Sequence, residues 1–146
     1  GENLARIMSL GDPTKKMSKT GDEGISLTDH PDEIVRKIKK ATTDSGKDIT
    51  YNLEEKAGVS NLITIEAMIT GKSINQIEDK YAGKNYSDFK LGVADIVVDF
   101  LAPLQQRRAE LANNMDHVMS VLTESENKAT AIASQTLTEV KQKMGF

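Results

Sequence analysis

Chemistry in this 146-residue chain concentrates in one short run. Lys15-Lys16-Met17-Ser18-Lys19-Thr20 puts three ammonium groups, two hydroxyls and one flexible apolar side chain side by side. Lysine ammoniums follow negative charge on phosphate oxygens, and hydroxyls and backbone amides complete such a cradle. A methionine among them suits the face of a planar apolar ring. The same composition also describes a solvated lysine loop, and from these residues alone both readings stand.

Other candidates are few. His30 and His117 are far apart, fall in no metal-ligand spacing, and read as an ordinary cap or surface residue. Gly71-Lys72-Ser73 matches the end of a phosphate-binding P-loop, but that motif needs glycine where Glu66 stands. The adjacent carboxylates Glu54/Glu55 and Glu78/Asp79 point apart and read as solvated surface. Cysteine is absent, which excludes disulfides and thiolate metal sites and is compatible with a reducing compartment. Arg107 and Arg108 fall on the expected long helix, and Lys128, Lys141 and Lys143 on the last. Arg107 stands three residues before Glu110, so a solvated, self-paired helix face is the simpler reading.

The elements that must position the lysine run follow from pattern. The chain is 38% hydrophobic and 28% charged, so a folded domain is expected rather than a disordered or membrane protein. Three Tyr, three Phe and no Trp leave an aliphatic core, which favours helix-on-helix packing. A net charge of −3 excludes a nucleic-acid binder held by bulk positive charge, so electrostatic function must be local. No apolar run approaches a membrane span, and Gly1-Glu2-Asn3 does not open a secretion signal. The sequon at Asn85-Tyr86-Ser87 is then an accident.

Ile7-Met8-Ser9-Leu10 reads as a strand, running through the turn Gly11-Asp12-Pro13-Thr14 into a polar surface loop from Lys15 to Gly24. From Pro31 the pattern is helical. Pro31, Asp32 and Glu33 suit a first turn, and Arg36, Lys37, Lys39 and Lys40 fall near its end. A second helix is expected over Val59 to Thr70, stopped by Gly71, and a third from the Ser73–Gln76 capping box to Tyr81. A long helix from Ser87 to Asn113 contains Pro103, which predicts a kink. A short helix over Met115 to Leu122 should precede a last one capped by Thr123 and Glu126, with Ala129, Ile132, Ala133, Leu137 and Val140 inside. The fold class is mainly α, a helical bundle preceded by one strand of a sheet whose other strands this sequence does not show.

Lys16-Met17-Ser18-Lys19-Thr20 resembles the KMSKS signature of class I aminoacyl-tRNA synthetases, with Thr in the last place. Its lead-in, Ala5-Arg6-Ile7-Met8-Ser9-Leu10 then Asp12-Pro13-Thr14-Lys15, is similar to that of the bacterial-type tryptophanyl-tRNA synthetases. Matches continue through Lys37-Ile38, Ala41 and Thr43-Asp44-Ser45, then Gly58-Val59-Ser60-Asn61-Leu62. They run on through Tyr81-Ala82-Gly83-Lys84, Tyr86, Phe89 and Lys90 to Leu101, Pro103, Leu104, Gln105 and Arg107. The tyrosyl relatives usually carry Phe and Gly in place of Met17 and Ser18.

The resemblance implies that tryptophan is activated with ATP to tryptophanyl-adenylate and pyrophosphate, then passed to tRNA(Trp). It assigns Lys16 and Lys19 to pyrophosphate oxygens as the catalytic residues. Ser18 and Thr20 add hydrogen bonds, Met17 packs near adenine, and the Ile7 backbone contacts the base. ATP is expected to arrive with Mg2+, and no protein-ligated metal is implied. A HIGH-type motif and a tryptophan pocket are not found in the sequence. Residues 1–20 are therefore expected to be the tail of a Rossmann-like catalytic domain with its signature loop. Residues 21–146 are expected to form the α-helical anticodon-binding domain, with Arg107, Arg108, Lys128, Lys141 and Lys143 as the candidates to meet RNA phosphate, and the chain by itself to be inactive. The resemblance further implies a cytoplasmic homodimer joined through a part not in this sequence, with no membrane partner. A different class of protein remains in play: a standalone helical RNA- or protein-binding module that kept the loop without its chemistry.

Overall fold

The computed structural model describes residues 6–18 and 24–146. Five α-helices form among them: α1 (Pro31–Lys40), α2 (Ala57–Thr70), α3 (Ile74–Tyr81), α4 (Tyr86–Ala112) and α5 (Met115–Met144). The chain divides into two units, Gly1–Gln105 and Gln106–Phe146, with the division inside α4. The mainly α class holds. The expected strand at Ile7–Leu10 is reduced to one antiparallel backbone pair, Met8 with Lys16.

In the first unit the helices begin and end where local chemistry dictates. The His30 side chain accepts from the Asp32 amide ahead of Pro31, and Asp32 and Glu33 fill the positive first turn of α1. The Ser73 hydroxyl and the Gln76 side chain satisfy each other's backbone amides at the start of α3. Gly71 closes α2 with φ 70°, a left-handed geometry that costs glycine little. Lys90 of α4 donates to the Ala41 carbonyl at 2.7 Å, placing a cation at the negative end of α1. Burial pushes this ammonium below its ordinary value.

The core is aliphatic, as the composition required. Ile34 and Ile38 of α1, Leu62 and Ile63 of α2, Ile77 of α3 and Val93 of α4 are fully buried. Two rings join them: Tyr81 and Phe89 meet edge to face with centroids 4.9 Å apart. Gly92 permits that approach, since a Cβ there would sit 2.5 Å from the Tyr81 hydroxyl. Helix α2 is the centre, with every residue from Gly58 to Ala67 buried. Its entry is equally tight, because a Cβ on Gly58 would fall 1.9 Å from the Thr42 carbonyl oxygen.

A helix buried on all sides must satisfy its polar side chains internally. Ser60 Oγ accepts the Asn52 amide at 2.8 Å, and Thr64 donates to the Ser60 carbonyl. Glu66, with no exposed surface, accepts from Lys80 Nζ at 2.7 Å and from the Tyr81 hydroxyl at 2.9 Å. A second polar knot ties loop to helix: the Tyr86 hydroxyl donates to Asp44, and Lys56 Nζ reaches Asp44 at 3.2 Å and Tyr86 at 3.0 Å. Burial pushes the Asp44 carboxyl up, but bonds from Tyr86, the Gly46 amide and Lys56 outweigh it and leave it below its ordinary value.

The second unit holds the last turns of α4 and all of α5. Two of its features differ from those the sequence pattern predicts. No break occurs at Thr123: Asn114 caps the helix by accepting the His117 amide, and α5 continues unbroken to Met144. The intervening residues include good helix formers and neither Gly nor Pro, so propagation defeats an internal cap. The residues expected inside are also exposed, Ile132 at 69% and Leu137 at 54%, and α5 buries none of its residues. The unit's other helical piece is too short to cover a 30-residue stripe. Helix α4 itself runs through Pro103 without interruption.

Two outcomes are expected from these knots. Glu66→Ala leaves the Tyr81 hydroxyl without its acceptor and the Lys80 ammonium with the Tyr81 oxygen in place of a carboxylate, and should cost about 2 kcal/mol by urea denaturation. Asp44 has a folded pKa below the ordinary 3.8, so its contribution is present above that pH and lost as pH falls through the folded value. Melting temperature should therefore drop in the acid range, and Asp44→Asn should flatten that drop while lowering the plateau at neutral pH.

Candidate functional site

The site begins with a tight turn. Asp12 accepts the Thr14 amide at 3.1 Å and the Thr14 hydroxyl at 2.6 Å, and pairs with Lys15 Nζ at 2.9 Å. Bonds from the Thr14 hydroxyl, from Lys15 and from the Thr14 amide hold its carboxyl at about 2. The buried Ser9 hydroxyl accepts the amides of Gly11 and Asp12 on the inner side. Two limbs leave this turn antiparallel: the Ser9 amide donates to the Lys15 carbonyl at 2.8 Å and the Met17 amide to the Ile7 carbonyl at 3.0 Å.

This hairpin is bolted to the helices at several points. The Leu10 side chain is buried, its carbonyl accepts the Thr42 amide at 2.8 Å, and the Thr42 hydroxyl donates to the Gly11 carbonyl at 2.7 Å. The Asn61 carboxamide of α2 takes both backbone groups of Met8. Beyond residues 19–23 the chain is secured again. Lys37 Nζ of α1 donates to the Gly24 carbonyl at 3.0 Å and to Asp29 at 2.8 Å, and Asp29 accepts the Ser26 amide. Gln105 of α4 donates to the carbonyls of Leu27 and Asp29. Burial pushes the Asp29 carboxyl up, but the Lys37 and Ser26 bonds prevail and leave it below its ordinary value.

Between these anchored limbs lies a cavity of about 600 Å³. Ile7, Met17 and Ser18 line one side, and Gly24, Ile25, Ser26, Leu27 and Lys37 the other. Ile7, Met17 and Ile25 also pack against the buried core, so its floor is apolar and its edge polar. Such a lining suits a flat heterocycle with a charged tail. Gly24 lets the two walls approach closely at one end, since a Cβ there would sit 2.8 Å from the Ser18 carbonyl oxygen.

The structure thus brings Ile7, Met17 and Ser18 together. Lys16 is exposed and not part of the lining, because alternation along the limb turns it away from the face that Met17 occupies. Lys19 and Thr20 lie outside the described residues. The expected polar loop is also less uniform than its composition, since Met17 is half-buried on the core. Asn61 and Lys37 carry the assembly, a role that neither the helical pattern nor the signature motif assigns to them. The signal for Asn61 is a carboxamide within the mostly apolar helical stretch from Val59 to Ala67. Among the described residues no cluster of His, Asp or Glu is able to hold a metal ion. The cations considered for RNA are exposed, and two are paired on their own helix, Arg107 with Glu110 and Lys128 with Glu124.

Comparison with known proteins gives a consistent result. The family profile of class I tRNA synthetases for tryptophan and tyrosine (W and Y) matches residues 3–102. A tryptophan–tRNA ligase of Oceanobacillus iheyensis is 46% identical over 145 residues, covering 97% of this chain and 44% of the relative. That of Wolinella succinogenes is 44% identical with the same coverage. Among solved structures, tryptophanyl-tRNA synthetase from Mycoplasma pneumoniae superposes with a TM-score of 0.79 at 32% identity, over 97% of this chain and 44% of that one. The Campylobacter jejuni enzyme complexed with ADP and tryptophan shares the fold, with a TM-score of 0.76 at 21% identity over 100% of this chain and 45% of that one. The chain spans about 44% of the length of the curated relatives it matches.

The Lys37 anchor yields a direct test. Lys37→Met keeps the stem but removes the donor to Gly24 and Asp29, and should destabilise the first unit by about 1–3 kcal/mol. The Ser26 amide, held by Asp29, should exchange with solvent faster in that variant, as read by hydrogen exchange.

Proposed function

Because the chain belongs to the class I tryptophanyl and tyrosyl tRNA synthetase family, we propose that it is the carboxy-terminal portion of a tryptophan–tRNA ligase. The observation that carries this reading is the cavity beside the signature residues. Ile7 and Met17 offer an apolar seat for an adenine ring, and Ser18 stands at the polar edge where the phosphates would lie. Identity of 46% to a tryptophan–tRNA ligase supports tryptophan over tyrosine as the substrate.

The proposed reaction is a nucleotidyl transfer. A carboxylate oxygen of tryptophan attacks the α-phosphorus of ATP, the bond to the bridging oxygen breaks, and pyrophosphate leaves with the electron pair. Negative charge grows on the leaving group in the transition state, and Lys16 and Lys19 are the residues assigned to neutralise it. Ser18 and Thr20 donate hydrogen bonds to the same oxygens, Met17 covers the adenine, and Ile7 contributes its backbone. Since Lys16 faces away from Met17, it meets pyrophosphate oxygens that lie beyond the cavity lining, while Met17 stays on the adenine. Mg2+ would travel with ATP as part of the substrate.

In this reading residues 1–20 complete a Rossmann-like catalytic domain and residues 21–146 form the helical domain that meets the tRNA(Trp) anticodon. The intact protein would act in the cytoplasm as a homodimer joined through the portion outside this chain. No helix among the described residues is long and apolar enough to cross a membrane.

Tryptophan-dependent exchange of labelled pyrophosphate into ATP tests the proposal. The full-length protein should exchange with tryptophan and not with tyrosine, and the 146-residue chain alone should remain at background. Lys16→Ala and Lys19→Ala in the full-length protein should each lower turnover by about 10², the scale of one lost transition-state donor. Full-length protein without exchange activity would point instead to a binding module.

A further inference from the structure

Asn61 does something unusual for a residue in the middle of a buried helix. It is 4% exposed, and its carboxamide spans 53 residues of sequence to meet Met8 at two points. Nδ2 donates to the Met8 carbonyl at 2.8 Å, and Oδ1 accepts the Met8 amide at 2.8 Å. One side chain therefore presents the donor and acceptor that the edge of a neighbouring β-strand would present.

The geometry makes that pairing specific to one register. Backbone groups alternate along an extended chain, and those of Ser9 and Ile7 are turned toward Lys15 and Met17. Of these three residues, Met8 alone has its amide and carbonyl both bonded to α2. A slip by one residue would put a residue whose amide and carbonyl point the wrong way opposite Asn61, and would swap the faces of every side chain. Ile7 and Met17 would then leave the cavity and Met8 would enter it. A two-limbed hairpin alone is only marginally stable, so it has little power to resist such a slip.

We infer that Asn61 is a positioning residue for amino-acid activation: its carboxamide acts as a substitute strand edge that fixes the register of the signature hairpin. This rests on the proposed ligase reading. Asn61 touches no substrate in this role. It acts through Met8, keeping Ile7 and Met17 on the cavity face so that the lysines that follow start from one defined position. The polar atoms it satisfies also explain why a carboxamide occurs on a helix that is otherwise buried among aliphatic side chains.

The test uses the full-length protein with two variants. Asn61→Ala removes both bonds. Asn61→Asp is almost unchanged in volume, yet offers the Met8 carbonyl no donor and sets a carboxylate against it. Both should lower the single-turnover rate of tryptophanyl-adenylate formation about tenfold, a loss of orientation rather than of a reacting group. The KM for tryptophan should stay within about twofold. Transfer of tryptophan to tRNA from preformed adenylate should keep its wild-type rate, because pyrophosphate has already left. Rates are normalised to folded protein by circular dichroism and active-site titration. If the alanine variant does not fold, the aspartate variant decides.

Wild-type activation in the aspartate variant would overturn the inference, as would a parallel loss of activation and transfer. Hydrogen exchange at the Met8 amide separates this result from failure of the functional reading. If the wild-type protein shows no tryptophan-dependent exchange, the ligase reading falls, and the role in activation falls with it. The register role is then judged on Met8 alone: protection lost in both variants upholds it, and protection retained refutes it.

Discussion

The complete burial of α2 is the constraint from which the rest of this structure follows. A helix enclosed over ten residues has no water to satisfy Ser60, Asn61, Thr64 and Glu66, so each must find its partner in protein. Those partners lie in different directions. Asn61 reaches forward to the hairpin at Met8, Ser60 sideways to Asn52, and Glu66 to Lys80 and Tyr81 around α3. An aliphatic helix of the same volume would pack as densely but would orient nothing. Polar groups in a dry interior are costly unless paired, and that cost makes their pairing directional.

The cavity inherits its shape from this arrangement. Each of its two walls is held separately to the helices. Asn61 and Thr42 secure the Ile7 limb, while Lys37 and Gln105 secure the segment from Gly24 to Asp29. Binding residues carried on loops but referenced to rigid helices is a common solution, because the helices set position and the loop retains freedom to move. The charged anchors also account for the acid sensitivity expected of the fold. Asp29 and Asp44 are both ionised in their knots, one beside the cavity and one at the entry to α2.

Much of the helical plan is legible along the chain, for local reasons. Pro31 with Asp32 and Glu33, the Ser73–Gln76 box and Gly71 each act within one turn, so their meaning survives without tertiary information. The reading weakened where two local signals competed. Thr123 and Glu126 form a valid cap, but a run of helix formers on both sides makes continuation cheaper than interruption. It weakened again where a pattern implied a partner: Ile132, Leu137 and Val140 repeat as a buried face would, yet periodicity does not report what lies opposite.

The sequence by itself determined the helical class, most helix ends, the aliphatic core and the run of residues with chemistry to offer. It did so because hydrophobic period, caps and turn residues act over short separations. Tertiary structure alone decided which of those residues share a face. Met17 joins Ile7 at the cavity while Lys16 turns outward, and no property of either residue taken singly predicts this. Bonds between Asn61 and Met8, Lys37 and Gly24, and Gln105 and Leu27 span 13 to 78 residues of chain. Their geometry follows from how helices pack, and packing depends on every buried side chain at once.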